Sequence, residues 1–70
     1  MVDAMLRLTQ LRMRQNLSKA KLGRLAELDG SFLSKVEAGR IKPYPRQLTR
    51  LAVALGLNET RAASLLDEVG

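Results

Sequence analysis

The chain is 70 residues long, carries a formal net charge of +5, and is 46% hydrophobic and 27% charged, which fits one small globular domain with a modest core and not a disordered tail. It contains no cysteine and no histidine, which excludes disulfide staples, thiolate or imidazole metal sites and the commonest nucleophile and general base. The longest apolar run, Leu51 to Leu55, is far shorter than the roughly 18 residues of a membrane span, and Asp3, Arg7 and Arg12 interrupt the start unlike a secretory leader; the expectation is one soluble, cytoplasmic domain over residues 1–70.

One Phe, one Tyr and few β-branched residues argue against sheet, and the apolar residues recur at helical spacing. The first helix is expected over about residues 3–15, with Asp3 as N-cap and Ala4, Leu8 and Leu11 on one face beside Met5. Asn16, Leu17 and Ser18 break the pattern, and Ser18 caps a short second helix, 19–26. Asp29 opens a third, 30–37, with Leu33 and Val36 inward and Ser31, Ser34 and Lys35 pointing elsewhere, stopped by Gly39. Residues 40–44 form a loop, and Pro45 starts a fourth helix, 45–55, striped by Leu48, Leu51, Ala52 and Leu55 and ended by Gly56. Asn58 caps a fifth, 59–69, with Ala62, Leu65, Leu66 and Val69 on one side. The fold class is therefore all-α: five short helices joined by tight turns.

The charge is unevenly placed. Residues 7–50 hold eleven basic residues against Glu27, Asp29 and Glu37, a net +8, whereas residues 51–70 carry Arg61 against Glu59, Asp67 and Glu68, a net −2. A basic body with an acidic end suits a polyanionic partner, although scattered cations also serve solubility alone. The helices at 19–26 and 30–37, joined by Glu27, Leu28 and Asp29, have the length pattern of a helix-turn-helix.

From about Leu8 to Leu66 the chain resembles the Cro/lambda-repressor-like (XRE) helix-turn-helix DNA-binding domains. The residues that carry the resemblance are Leu11-Arg12, Leu17-Ser18, the run from Leu28 to Arg40, Pro43, and the run from Leu51 to Leu57. The resemblance implies a lambda-repressor-like domain whose second and third helices form the helix-turn-helix. It implies a largely buried structural ion pair between Arg12 and Glu37, against the alternative of two unrelated surface charges. It places Lys19, at the first turn of the second helix, on a phosphate, where backbone N–H groups also meet anions. Arg40 and Lys42 would grip the backbone from the loop after Gly39, with Arg46 a further phosphate contact.

Gly30, Ser31 and Lys35 would face base edges, with Phe32 and Ser34 flanking. Lysine donates to guanine O6 and N7, whereas serine scarcely distinguishes bases. Gly30 reads nothing itself and permits only close backbone approach. For Phe32 two readings stay open: contact with a thymine methyl or sugar, or a wedge into the core beside Val36. So few readers leave room for DNA shape to contribute to specificity.

The chain departs from the family pattern at three positions. Glu27 stands where the turn usually has glycine, at a strain of about 1 kcal/mol if the left-handed geometry is kept. Gly23 replaces the usual alanine, at about 1 kcal/mol of helix propensity. Ala38 replaces an asparagine that contacts the DNA backbone.

The resemblance implies sequence-specific binding of double-stranded DNA by a prokaryotic or phage transcriptional regulator, as a homodimer on a palindromic operator. The dimer would pair through Leu65, Leu66 and Val69, unless these form ordinary core. The alternative is a protein-interaction module, such as an antitoxin-like partner binder, with weak DNA affinity; Glu27 and Ala38 favour it and the basic stretch opposes it. Enzymatic activity is not expected, since there is no phosphate-binding glycine loop before a Lys-Ser/Thr and no paired carboxylates in a plausible pocket. No cofactor, metal or small-molecule substrate is implied.

Overall fold

A computed structural model describes residues 5–69 of the chain. Four α-helices, α1 (Arg7–Arg14), α2 (Lys19–Leu25), α3 (Gly30–Glu37) and α4 (Pro45–Ala54), are followed by a 3₁₀ helix (Glu59–Leu66). Two short strands, β1 (Met5–Leu6) and β2 (Glu68–Val69), pair antiparallel in the register Met5 with Val69 and Leu6 with Glu68. The helices share one core, in which Leu8, Leu22, Leu33, Val36, Leu51 and Leu65 are fully buried.

The helix starts follow local chemistry. Ser18 accepts a hydrogen bond from the Lys21 N–H, Asp29 from that of Ser31, and Asn58 from that of Thr60, the side-chain caps that satisfy orphan donors of a first turn. At α4, Pro45 takes the first helical position and the Tyr44 N–H donates to Gln47 Oε1 at 2.8 Å.

The four α-helices all end the same way. A residue in the left-handed region follows each: Asn16 (φ 56°), Glu27 (φ 59°), Gly39 (φ 77°) and Gly56 (φ 82°). The next N–H then donates to the carbonyl five residues back: Leu17 to Arg12, Leu28 to Gly23, Arg40 to Lys35 and Leu57 to Ala52. This is the Schellman closure, whose last residue commonly makes an apolar contact with the helix it ends. Leu17, Leu28 and Leu57 do so, half-buried against the core. Arg40 is the exception and lies exposed.

The two ends of the chain differ from the sequence expectation. The first helix begins at Arg7 and not at about residue 3, because Met5 and Leu6 are extended and use their backbone groups to pair with β2. Leu6 is the N-cap and gives no side-chain cap, while the expected cap Asp3 and the face residue Ala4 lie outside the described residues. The fifth helix is 3₁₀ and ends at Leu66, so Val69 belongs to β2. At about three residues per turn, residues three apart eclipse, which points Ala62 and Leu65 inward together. Leu65 is therefore core, 0% exposed, and Leu66 is half-buried against the core. A side chain enclosed in one protomer offers no surface to a second, so Leu65 drops out of the expected pairing stripe, whereas Leu66 and Val69 are half-buried.

Candidate nucleic-acid interface

The α2–α3 unit is held close by two residues without side chains. A Cβ on Gly23 would lie 2.6 Å from the Leu28 carbonyl oxygen, and one on Gly30 would lie 3.2 Å from Ala20 Cα. The side-chain direction of Gly30 thus leads back into the helix pair, and its physical role is to let α2 and α3 touch. The close backbone approach expected of Gly30 is thus made, within the protein, to Ala20 of α2.

Leu33 and Val36 turn α3's inner face into the core, which leaves Ser31, Ser34 and Lys35 exposed on its outer face. Phe32 is half-buried and packs against the core cluster. Its packed side is that of the wedge reading, and the rest of the ring stays accessible on the outer side. Beside the outer face, Ser34, Lys35, Ala38 and Arg40 line a shallow depression of about 260 Å³. The small Ala38 leaves it open, and Arg40, exposed at a closure position where the other helices bury a leucine, forms one wall.

The orientation of α3 is fixed from behind by the pair Arg12–Glu37. Arg12 Nε donates to Glu37 Oε2 at 2.8 Å and Nη2 donates to Oε1 at 3.0 Å, while Nη1 donates to the Leu17 carbonyl at 2.8 Å. The two side chains are 13% and 7% exposed. Both carboxylate oxygens and all three guanidinium nitrogens thus have partners, and the two-pronged geometry adds direction as well as energy. The pair ties the end of α1 to the end of α3 and to the turn before α2. Gln15 Nε2 adds a further tie, donating to the Leu55 carbonyl at the end of α4 at 2.8 Å.

Around this frame the cations stand free. Lys21, Arg24, Lys35, Arg40, Lys42, Arg46 and Arg50 are exposed and Lys19 is half-buried. Among the described residues the Arg12–Glu37 pair is the one salt bridge, so none of these eight is neutralised by a described carboxylate. No first turn of α1 to α4 contains an acidic residue, and the one carboxylate at their N-caps is Asp29 on α3, which leaves the positive ends of the α1, α2 and α4 dipoles uncompensated. Such an arrangement suits a polyanion better than it suits the isolated fold. The sequence names Lys19, Arg40, Lys42 and Arg46 as candidate phosphate contacts, and Arg50 lies exposed one helical turn beyond Arg46.

An α-helical domain with a short, capped and buried-backed α2–α3 pair, a polar outer face on α3 and flanking cations defines a helix-turn-helix DNA-binding fold. The chain matches a family model described as a helix-turn-helix domain over residues 6–65. It belongs to that family, which is of the XRE/Cro type. No curated protein matches the chain.

Proposed function

We propose that the chain, as one domain over residues 1–70, binds double-stranded DNA sequence-specifically as a transcriptional regulator in the cytoplasm. In this reading α3 lies in the major groove, which is wide enough to admit a helix. Ser31, Ser34 and Lys35 face the bases, with the backbone of Gly30 and the edge of Phe32 at the margins. Lys19, Arg40, Lys42 and Arg46 hold phosphates on either side. The observation that carries the reading is the outer face of α3: polar, exposed, fixed by the Arg12–Glu37 pair and flanked by cations that no described carboxylate neutralises. Family membership supports DNA as the partner, and domains of this family are typically not enzymes.

Pairing as a homodimer on a two-fold-symmetric site belongs to the same proposal. One such module covers only about 600–1,000 Å², and two copies would set the recognition helices about 34 Å apart, one turn of the duplex. The body measures 34 × 25 × 23 Å, so two copies fit side by side at that spacing. Sign of regulation follows from operator placement and not from the fold.

Selection of bound fragments from random duplex DNA tests the proposal, because it reports a consensus and its symmetry together. A palindromic consensus, with affinity falling by orders of magnitude between 50 and 200 mM salt, is the expected result. Weak binding with a flat salt response would overturn it in favour of the protein-interaction module.

A further inference from the structure

The hydroxyl groups of the described residues are not equally free. Those of Thr9, Ser31, Ser34, Thr49, Thr60 and Ser64 belong to helices. Ser18 is the N-cap of α2, and its Oγ accepts the Lys21 N–H at 3.0 Å. Tyr44, the chain's one tyrosine, differs from all of these. It is 75% exposed and stands in the stretch 41–44, which forms neither helix nor strand. The bond to Gln47 Oε1 at the start of α4 comes from the Tyr44 backbone N–H, with no side-chain cap, so the phenol stays free.

The main chain around it is extended before anything binds. Pro43 is buried on one side, Pro45 opens α4 on the other, and Tyr44 sits at φ −68° and ψ 157°. A residue before proline is disfavoured in the helical region, so the sequence itself holds this geometry. An enzyme that modifies a side chain must grip the segment from which that side chain projects. To present Ser31 or Ser34, α3 would have to unwind, although Leu33 and Val36 are core. To present Tyr44, nothing has to unwind.

The geometry points to Tyr44 as a site of phosphorylation by an ATP-dependent tyrosine kinase, with Arg46 and Arg50 receiving the phosphate. In that step the Tyr44 hydroxyl oxygen bonds to the γ-phosphorus of ATP, the bond from that phosphorus to the bridging oxygen breaks, and ADP leaves. The phenolic proton passes to the kinase's catalytic carboxylate. The product carries about 1.5 to 2 negative charges at pH 7. Tyr44, Pro45, Arg46, Gln47 and Arg50 line an open groove of about 450 Å³, and neither arginine is paired with a described carboxylate. The first turn of α4 contains no acidic residue, and a phosphate near a helix start is favoured by the dipole. Guanidinium groups also take phosphate through two parallel hydrogen bonds. The consequence rests on the DNA-binding reading above. A phosphotyrosine that holds Arg46 withdraws one of the proposed phosphate contacts and sets its own negative charge beside the duplex, so phosphorylation releases DNA.

The test treats the full chain and Y44F with a broad-specificity tyrosine kinase domain and ATP. The folded wild-type chain is expected to take up a single phosphate, read by mass, and Y44F none. Phosphorylation is expected to raise the melting temperature by about 4 °C or more in the wild type and not in R46Q/R50Q, a readout that needs no DNA. Affinity for a random duplex at 50 mM salt is expected to fall about tenfold or more, with a shallower salt slope, while unmodified Y44F binds as the wild type does. A folded chain that takes up no phosphate, or takes it up equally in Y44F, would overturn the site. An unchanged melting temperature would overturn the pairing with the arginines. Phosphorylated protein that binds duplex as tightly as unmodified protein would overturn the release. Failure of the unmodified chain to bind duplex at all would overturn the DNA reading and the release with it, and leave the site to stand on phosphate uptake and the melting shift.

Discussion

Arg12 holds Glu37 through two parallel hydrogen bonds of 2.8 and 3.0 Å across 25 positions of sequence, and its remaining guanidinium nitrogen holds the Leu17 carbonyl. One side chain thus fixes the ends of α1 and α3 and the turn that leads into α2. Removing one partner of so enclosed a pair leaves an uncompensated charge and costs about 3 kcal/mol or more. Glu37→Ala is therefore expected to lower the melting temperature by on the order of 10 °C or more, before any effect on DNA contact. Replacing both partners with apolar residues of similar volume should be much milder. Thermal unfolding of the single variant within a degree or two of wild type would contradict the role assigned here.

Gly23→Ala should destabilise the protein, although alanine is the better helix former by about 1 kcal/mol. The added Cβ would meet the Leu28 carbonyl at 2.6 Å, and that carbonyl belongs to backbone at the turn. The expected net cost is about 1–3 kcal/mol, the usual range for overpacking. Chemical denaturation checks the sign; a gain in stability would mean that the turn yields freely.

Glu27→Gly should act in the opposite direction. Glu27 adopts φ 59° with a side chain that disfavours it, and glycine removes a strain of about 1–2 kcal/mol. The same change removes an exposed negative charge from the turn between α2 and α3, so binding to random duplex at low salt should tighten as well. Asn16→Gly is expected to gain less, because asparagine tolerates the left-handed region. Paired melts of the two variants settle the order.

Lys35→Ala should erode discrimination between cognate and scrambled duplexes. Lys19→Ala and Arg40→Ala should weaken binding to both nearly equally, as loss of a phosphate contact does. Competition titrations separate the two patterns. Uniform loss for Lys35→Ala would remove it from the base-reading set.

Leu65→Ala should cost about 2–5 kcal/mol through a cavity, because the side chain is fully buried within one protomer. Its effect should appear in unfolding curves independently of protein concentration, and sedimentation of the folded fraction should match that of the wild type.

The middle of the molecule was legible because its punctuation is chemical. Ser18, Asp29 and Pro45 can start helices and Gly39 and Gly56 can end them whatever the tertiary context, and α2, α3 and α4 begin where those residues say. Leu33 and Val36 were legible as the buried side of α3 for the same reason: three-residue spacing on so short a helix admits one inward face. The ends were not legible. Two paired residues per strand carry no alternation to detect, so Met5 and Leu6 read as helix until Glu68 and Val69 pair with them. Ala62, Leu65 and Leu66 fit α and 3₁₀ spacing alike, and an apolar stripe reads the same whether it covers a core or awaits a partner. At the candidate site, Gly30 carried no sign that its missing side chain faces Ala20, a contact between two helices that exists only once they cross. Arg40 was visible as a cation, but that it occupies the closure position which buries leucine at three other helix ends emerges only from the backbone hydrogen bonds.

The pairing of Met5 with Val69 sets the two ends of the described residues side by side. Opposed residues in such a pair lie about 5 Å apart at Cα, a gap a few glycines can bridge. Joining those ends and reopening the chain in the exposed stretch around Ile41 would give a permuted protein with the same core and the same outer face on α3. In that variant the break falls between Arg40 and Tyr44, beside the cations, and the former ends become an ordinary hairpin.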